Sequence, residues 1–137
     1  MASNQERSII VTDDITEATI SGATVEQLTQ ERKIQPHRII YARSAADLEQ
    51  KKKAGKLDRA DLLIIDLDLP DRTEVDSLNA IAQLKLGIPI IAVTPSLLDI
   101  TEEDLKDKGV KKLLVKPIDI TEFRTAILES LNSPKSV

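Results

Sequence analysis

Asp66 ends an apolar run, Leu62-Leu63-Ile64-Ile65, and is followed at once by Leu67-Asp68-Leu69-Pro70. Three further runs end on groups of complementary chemistry. Asp13 and Asp14 follow Ser8-Ile9-Ile10-Val11-Thr12, Thr94 follows Ile90-Ile91-Ala92-Val93, and Lys116 follows Leu113-Leu114-Val115. Short apolar runs closed by turn signals read as buried strands, so each of these side chains is expected at a strand's carboxyl end. In open α/β sheets that edge is where ligands bind. Taken singly, each residue has a plain structural use: the acidic pair can cap a helix, Thr94 can make a turn before Pro95, and Lys116 can pair with any nearby acid. The signal lies in the set, with the right types in order at the ends of several strands.

The elements that must position these groups alternate along the chain. A strand over Ser8 to Thr12 is followed by helix from Ile15 to about Lys33, in which Thr24 and Gln27 form a candidate capping box that would start the regular helix late and leave 15–23 irregular. Pro36 breaks the chain before a second strand, Arg38 to Ala42. Ser44 with Asp47 opens a helix that ends near Gly55, and a polar connection leads to the strand that stops at Asp66.

Val75, Leu78, Ile81, Ala82 and Leu84 then fit a helix closed by Gly87. The fourth strand is Ile90 to Val93, after Pro89. Thr101 is expected to cap a short acidic helix with Leu105 on its apolar face and Gly109 at its end. The fifth strand, Lys112 to Val115, meets Lys116-Pro117, and a last helix from Thr121 to Leu131 carries Phe123, Ile127 and Leu131 on one stripe. Five strand and helix units in alternation, joined by right-handed crossovers, predict an α/β fold: a five-stranded parallel sheet, doubly wound, with helices on both faces.

Composition bounds the function. At 137 residues the chain suits one domain over 1–137, with an ordered core of about 7–132. A net charge of -4 argues against nucleic acid as a direct partner. Lys51-Lys52-Lys53 is the notable basic cluster and reads as the solvated face of a helix. The absence of cysteine excludes a disulfide scaffold or thiolate metal site and agrees with a reducing cytosol. The amino terminus is polar and no apolar run is long enough to span a bilayer, so a cytoplasmic protein without membrane partners is expected. His37, beside Pro36, is expected to be a surface loop histidine rather than a phosphoryl carrier.

The acidic pair Asp13-Asp14, the segment from Asp61 to Pro70, Thr94, and Lys116-Pro117 together resemble the receiver domain of two-component response regulators, of the stand-alone chemotaxis type. The resemblance covers nearly the whole chain. The interval from Thr94 to Lys116 agrees with that family, while the stretch before Asp66 is several residues longer than usual. The resemblance implies a flavodoxin-like sheet of strand order 2-1-3-4-5. It implies that Asp66 accepts a phosphoryl group from a histidine kinase or histidine phosphotransfer protein. It further implies that Asp13, Asp14, Asp66 and the backbone carbonyl of Asp68 hold Mg²⁺, that Lys116 neutralises the phosphoryl oxygens, and that the Thr94 hydroxyl moves to them as a switch. Such a protein is a phosphoryl acceptor rather than an enzyme. With no room for an output module, it would signal to a downstream protein, and could form a homodimer, through the face of the fourth helix, fifth strand and fifth helix, marked by Lys111 and Lys112.

Three residues depart from that pattern. Pro95 stands where a backbone N–H normally helps hold the phosphoryl group, and proline has none. Glu74 stands where receivers usually carry a glycine, so the turn after Asp66 is expected to take another shape. Leu113 replaces an aromatic that usually rotates inward with the threonine, and Tyr41 and Phe123, the chain's two aromatics, offer no obvious substitute. These departures open the alternative of a phosphorylation-independent pseudo-receiver adaptor. A second alternative is a haloacid-dehalogenase-like phosphatase, because Asp66-Leu67-Asp68 also resembles that family's nucleophile motif, with Asp68 as general acid and base. The position of Asp13-Asp14 ahead of the motif counts against it. In the receiver reading, Asp68 either orients a hydrolytic water or is a solvated loop acid.

Overall fold

The alternating apolar runs form a single parallel sheet in the order β2-β1-β3-β4-β5, as the resemblance implied. The computed structural model describes residues 7–12, 15–69, 71, 73–95 and 102–132, the side chains of 15–18 and 102 excepted. The strands are β1 (Ser8–Thr12), β2 (Arg38–Ala42), β3 (Ala60–Asp66), β4 (Ile90–Thr94) and β5 (Val110–Val115). Between and after them lie α1 (Ile15–Gln30), α2 (Ala45–Lys53), α3 (Glu74–Leu84), α4 (Glu102–Asp107) and α5 (Ile120–Asn132). No helix among the described residues is long and apolar enough to cross a membrane.

The central strands are apolar on both sides because both sides are covered. Ile10, Leu63, Ile65 and Ala92 face one layer with Ala45 and Leu48 of α2, Leu78 and Ile81 of α3, and Leu105 of α4. Ile9, Val11, Leu62, Ile64, Ile91 and Val93 face the other, with Val25 and Leu28 of α1 and Phe123, Ala126 and Ile127 of α5. The period of two along each strand thus splits one sheet into two cores. Burying each large side chain contributes about 1.5–3 kcal/mol.

Local chemistry sets the helix ends. Ser44 caps α2, its hydroxyl accepting from Asp47 N at 3.0 Å, and Thr73 caps α3 by accepting from Asp76 N at 3.1 Å. The Asp119 carboxylate accepts from Glu122 N at 3.1 Å at the start of α5. Lys51, in the basic cluster, pairs along α2 with Asp47 at 2.8 Å. That contact holds the Asp47 carboxyl below its ordinary range, chiefly through the Lys51 hydrogen bond.

Several expectations are corrected. α1 is one continuous helix: the Thr24 hydroxyl donates back to the Ile20 carbonyl at 2.9 Å instead of capping a new start. α3 is closed by Lys85 in the left-handed region (φ 48), two residues before Gly87. Val75, in its first turn, is half exposed rather than on the buried stripe. β5 begins at Val110, earlier than expected. Thr101, the expected cap of α4, lies outside the described residues.

His37 lies in the loop before β2, as expected, but its side chain is not solvated, being only 5 % exposed. Its Nε2 lies 3.0 Å from an Asp61 carboxylate oxygen and its Nδ1 2.7 Å from the Gln35 carbonyl. Arg7 grips the other Asp61 oxygen through Nε at 2.9 Å and Nη2 at 2.5 Å. The Asp61 hydrogen bond raises the Arg7 pKa above its ordinary value. This cluster ties the segment before β1, the entry to β2 and the start of β3 together at the amino end of the sheet, opposite Asp66.

Candidate functional site

At the carboxyl edge, parallel pairing brings separate segments level. Thr12 pairs with Ile65, one residue before Asp66. Asp66 pairs with Val93, and Thr94 with Val115. Backbone hydrogen bonds continue past the strand ends, from Leu67 N to the Val93 carbonyl at 2.8 Å and from Lys116 N to the Thr94 carbonyl at 2.9 Å. The edge is therefore held by backbone, and its side chains leave from fixed points.

Asp66 is 2 % exposed. Its Oδ1 accepts from the Asp68 N–H at 2.7 Å, closing a short turn directly after β3. Its Oδ2 accepts from the Lys116 ammonium, which crosses from the end of β5 past β4. A buried carboxylate is tolerated when it is paired and hydrogen-bonded, and Asp66 is both. The Lys116–Pro117 peptide is cis.

Thr94 is wholly buried, and its hydroxyl donates to the Glu74 carboxylate. Glu74 is the first residue of α3, directly after the Thr73 cap. The turn that a glycine would occupy in the resembled pattern is thus the entrance to a helix, and the side chain there reaches the end of β4. Between Asp66 and α3, Asp71 accepts from the N–H groups of Ala45 at 3.2 Å and Ala46 at 3.1 Å, fastening this loop to the start of α2.

The structure brings Asp66, Thr94 and Lys116 to one edge, as the strand-end pattern predicts. Asp13 and Asp14 lie outside the described residues, so Asp66 and the Asp68 backbone are the positioned members of the expected metal set. Among the described residues no three acidic or histidine side chains converge. The donor chemistry fits a hard cation at Asp66: a buried carboxylate oxygen at a strand end, one residue beyond the pairing of Ile65 with Thr12 at the end of β1. The Asp68 residue is exposed. Pro95 is exposed beside Thr94, and Leu113 is half-buried against the core that α2, α3 and α4 cover.

Two contacts escaped the sequence reading. Glu74 was legible as a departure from a glycine, but its contact with Thr94 was not. Asp71 carried no motif; its signal was only an acid near a helix start that is distant in sequence.

Known proteins share sequence and fold with this chain. Transcriptional regulatory protein PdtaR of Mycobacterium tuberculosis is 32% identical over 84 residues, 61% of this chain and 40% of that protein. The DNA-binding transcriptional regulator NtrC of Bradyrhizobium is 29% identical over 75 residues, 55% of this chain and 16% of that protein. The matches thus span less than half the length of these relatives. The signal receiver domain of a LuxO repressor protein from Vibrio parahaemolyticus shares the fold with a TM-score of 0.66 at 24% identity, covering 92% of this chain and 90% of that one. A CheY-like receiver domain from Methanospirillum hungatei gives a TM-score of 0.67 at 22% identity, covering 93% and 94%. The family model described as the response regulator receiver domain matches residues 9–128. The chain therefore belongs to the response regulator receiver domain family of two-component signalling.

Proposed function

We propose that this receiver accepts a phosphoryl group on Asp66 from a phosphohistidine and passes the signal on by protein contacts. The observation that carries the reading is the buried Asp66 carboxylate at the end of β3 with the Lys116 ammonium against it. In the transfer, an Asp66 oxygen bonds to phosphorus as the P–N bond breaks, and the bond's electron pair stays on the histidine nitrogen. Lys116 offsets negative charge as it gathers on the phosphoryl oxygens, and Thr94 supplies a hydroxyl donor. Mg²⁺, held by Asp66 with Asp13, Asp14 and the Asp68 carbonyl, would offset the repulsion between carboxylate and phosphoryl.

Donors would be a histidine kinase or a histidine phosphotransfer protein in the cytoplasm. The output surface we favour is the face of α4, β5 and α5, where Lys111, Lys112, Val115 and Ile120 are exposed. The same face would serve a homodimer, with neither nucleic acid nor membrane engaged. The family assignment favours this reading over a phosphatase using Asp66 and Asp68.

Incubation with Mg²⁺ and acetyl phosphate, followed by intact mass measurement, tests the proposal. Wild type should gain one phosphoryl group and Asp66→Asn none. An unmodified wild type after rapid quenching would instead favour the adaptor reading, which draws support from Pro95 and from the engagement of Thr94 by Glu74. Catalytic turnover of a generic phosphoester would favour the phosphatase.

A further inference from the structure

Thr94 has one hydroxyl proton to donate, and Glu74 receives it. A phosphoryl oxygen on Asp66 would need the same proton. Resting on the phosphoacceptor reading above, we propose that Glu74 is a resident competitor for Thr94. Its carboxylate occupies the position at this hydroxyl that a phosphoryl oxygen takes, and phosphorylation must displace it.

The surroundings fit this role. Thr94 is wholly buried at the end of β4, so its hydroxyl cannot turn to solvent for an alternative partner. Glu74 is only half-buried and stands in the first turn of α3, so once displaced it can be rehydrated beside a helix amino end that favours negative charge. Pro95 supplies no N–H at the same strand end, which raises the share of anion binding that falls on the Thr94 hydroxyl. The Glu74 carboxylate and the acyl phosphate formed on Asp66 also repel, so the departure of Glu74 relieves charge as well as freeing the donor. Motion of Glu74 then carries the phosphoryl state to the start of α3, a route that needs no aromatic at Leu113.

The test uses beryllofluoride with Mg²⁺ as a phosphoryl stand-in, with wild type, Glu74→Ala, Glu74→Gln and Asp66→Asn. Affinity is read by fluorine NMR, and the Thr94 environment by its carbon-13 methyl resonance in the unliganded proteins. Glu74→Ala should shift the Thr94 methyl and bind the stand-in about tenfold more tightly, as expected for removing one charge-assisted competitor. Glu74→Gln, which keeps an acceptor and loses the charge, should fall between. Binding by Glu74→Ala but not by wild type would also support the competitor role. Equal affinities in wild type and Glu74→Ala, or an unmoved Thr94 methyl, would overturn it and leave the phosphoacceptor reading standing. Failure of wild type and both Glu74 variants to bind would overturn the phosphoacceptor reading, and the competitor role with it.

Discussion

Lys116 and Asp66 lie 50 residues apart in the chain and at the ends of strands separated by β4, yet their charges meet at the carboxyl edge. The two partners are unequally covered: the Lys116 side chain is 25% exposed and that of Asp66 2%. Water can replace Asp66 for the lysine more easily than it can replace Lys116 for the carboxylate.

The cost of breaking this pair should therefore be lopsided. Lys116→Met leaves a buried carboxylate short of its charged partner and should destabilise by about 1–3 kcal/mol, below the deeply buried limit because of the lysine's exposure. Asp66→Asn leaves a lysine that can turn outward and should cost less than about 1 kcal/mol. Urea unfolding of both variants measures the difference, and equal or inverted costs would refute the argument.

Asp71 should act as a strut between the site loop and α2. Asp71→Ala removes an acceptor from two helix-start N–H groups, and a loss of about 0.5–2 kcal/mol is expected, as for a lost helix cap. Hydrogen exchange should accelerate at Ala45 and Ala46 ahead of the rest of α2. Unchanged protection at those two amides would show that the strut does not hold in solution.

A mild acid effect follows from Asp47. Its folded pKa is lowered, first by the Lys51 hydrogen bond, so its contribution is present above the ordinary carboxylate range. That contribution is lost as pH falls through the lowered value. The side chain is 32% exposed, which limits the pair to about 0.3–0.5 kcal/mol. Asp47→Asn should lower stability near neutrality by about that amount and bring the two proteins' stabilities together once the pH has fallen through the lowered Asp47 value. A difference that stays constant with pH would instead assign the loss to the Arg43 N–H contact.

Gly22 offers a fourth prediction. A Cβ there would overlap the Tyr41 hydroxyl oxygen but stand 3.5 Å from the ring carbon that bears it. Gly22→Ala should thus gain helix propensity and lose it to displacement of Tyr41, for little net change. In a Tyr41→Phe background the obstructing oxygen is gone, and Gly22→Ala should stabilise by about 0.5–1 kcal/mol. Thermal unfolding of the four proteins in this cycle gives the coupling directly.

How much of this was legible in sequence depended on the range of the interaction. Strand ends at Asp66, Thr94 and Lys116 could be read because burial on both faces makes each strand a short continuous apolar run. The Ser44 cap could be read because its partner, Asp47, is three residues away. Thr24 with Gln27 misled because a hydroxyl within a helix can donate back to a carbonyl four residues earlier, and nothing local separates that use from a cap. His37 misled for a different reason: its cover comes from Asp61, 24 residues on, which only the pairing of strands brings near. The same holds for Glu74 at Thr94 and Asp71 at α2. The candidate site was readable as a set of addresses, and its internal hydrogen bonding was not.

The span between Asp66 and Lys116 also has a meaning for the growing chain. At about 5–20 residues per second, a ribosome adds the intervening 50 residues in about 3–10 s. Throughout that interval β3 is complete, while the lysine that will offset its terminal carboxylate has not been made. An early compact form built on β1, β2 and β3 would have to leave Asp66 in water. The edge can close only when the last strand arrives, so a formed ion pair here certifies that synthesis has passed β5.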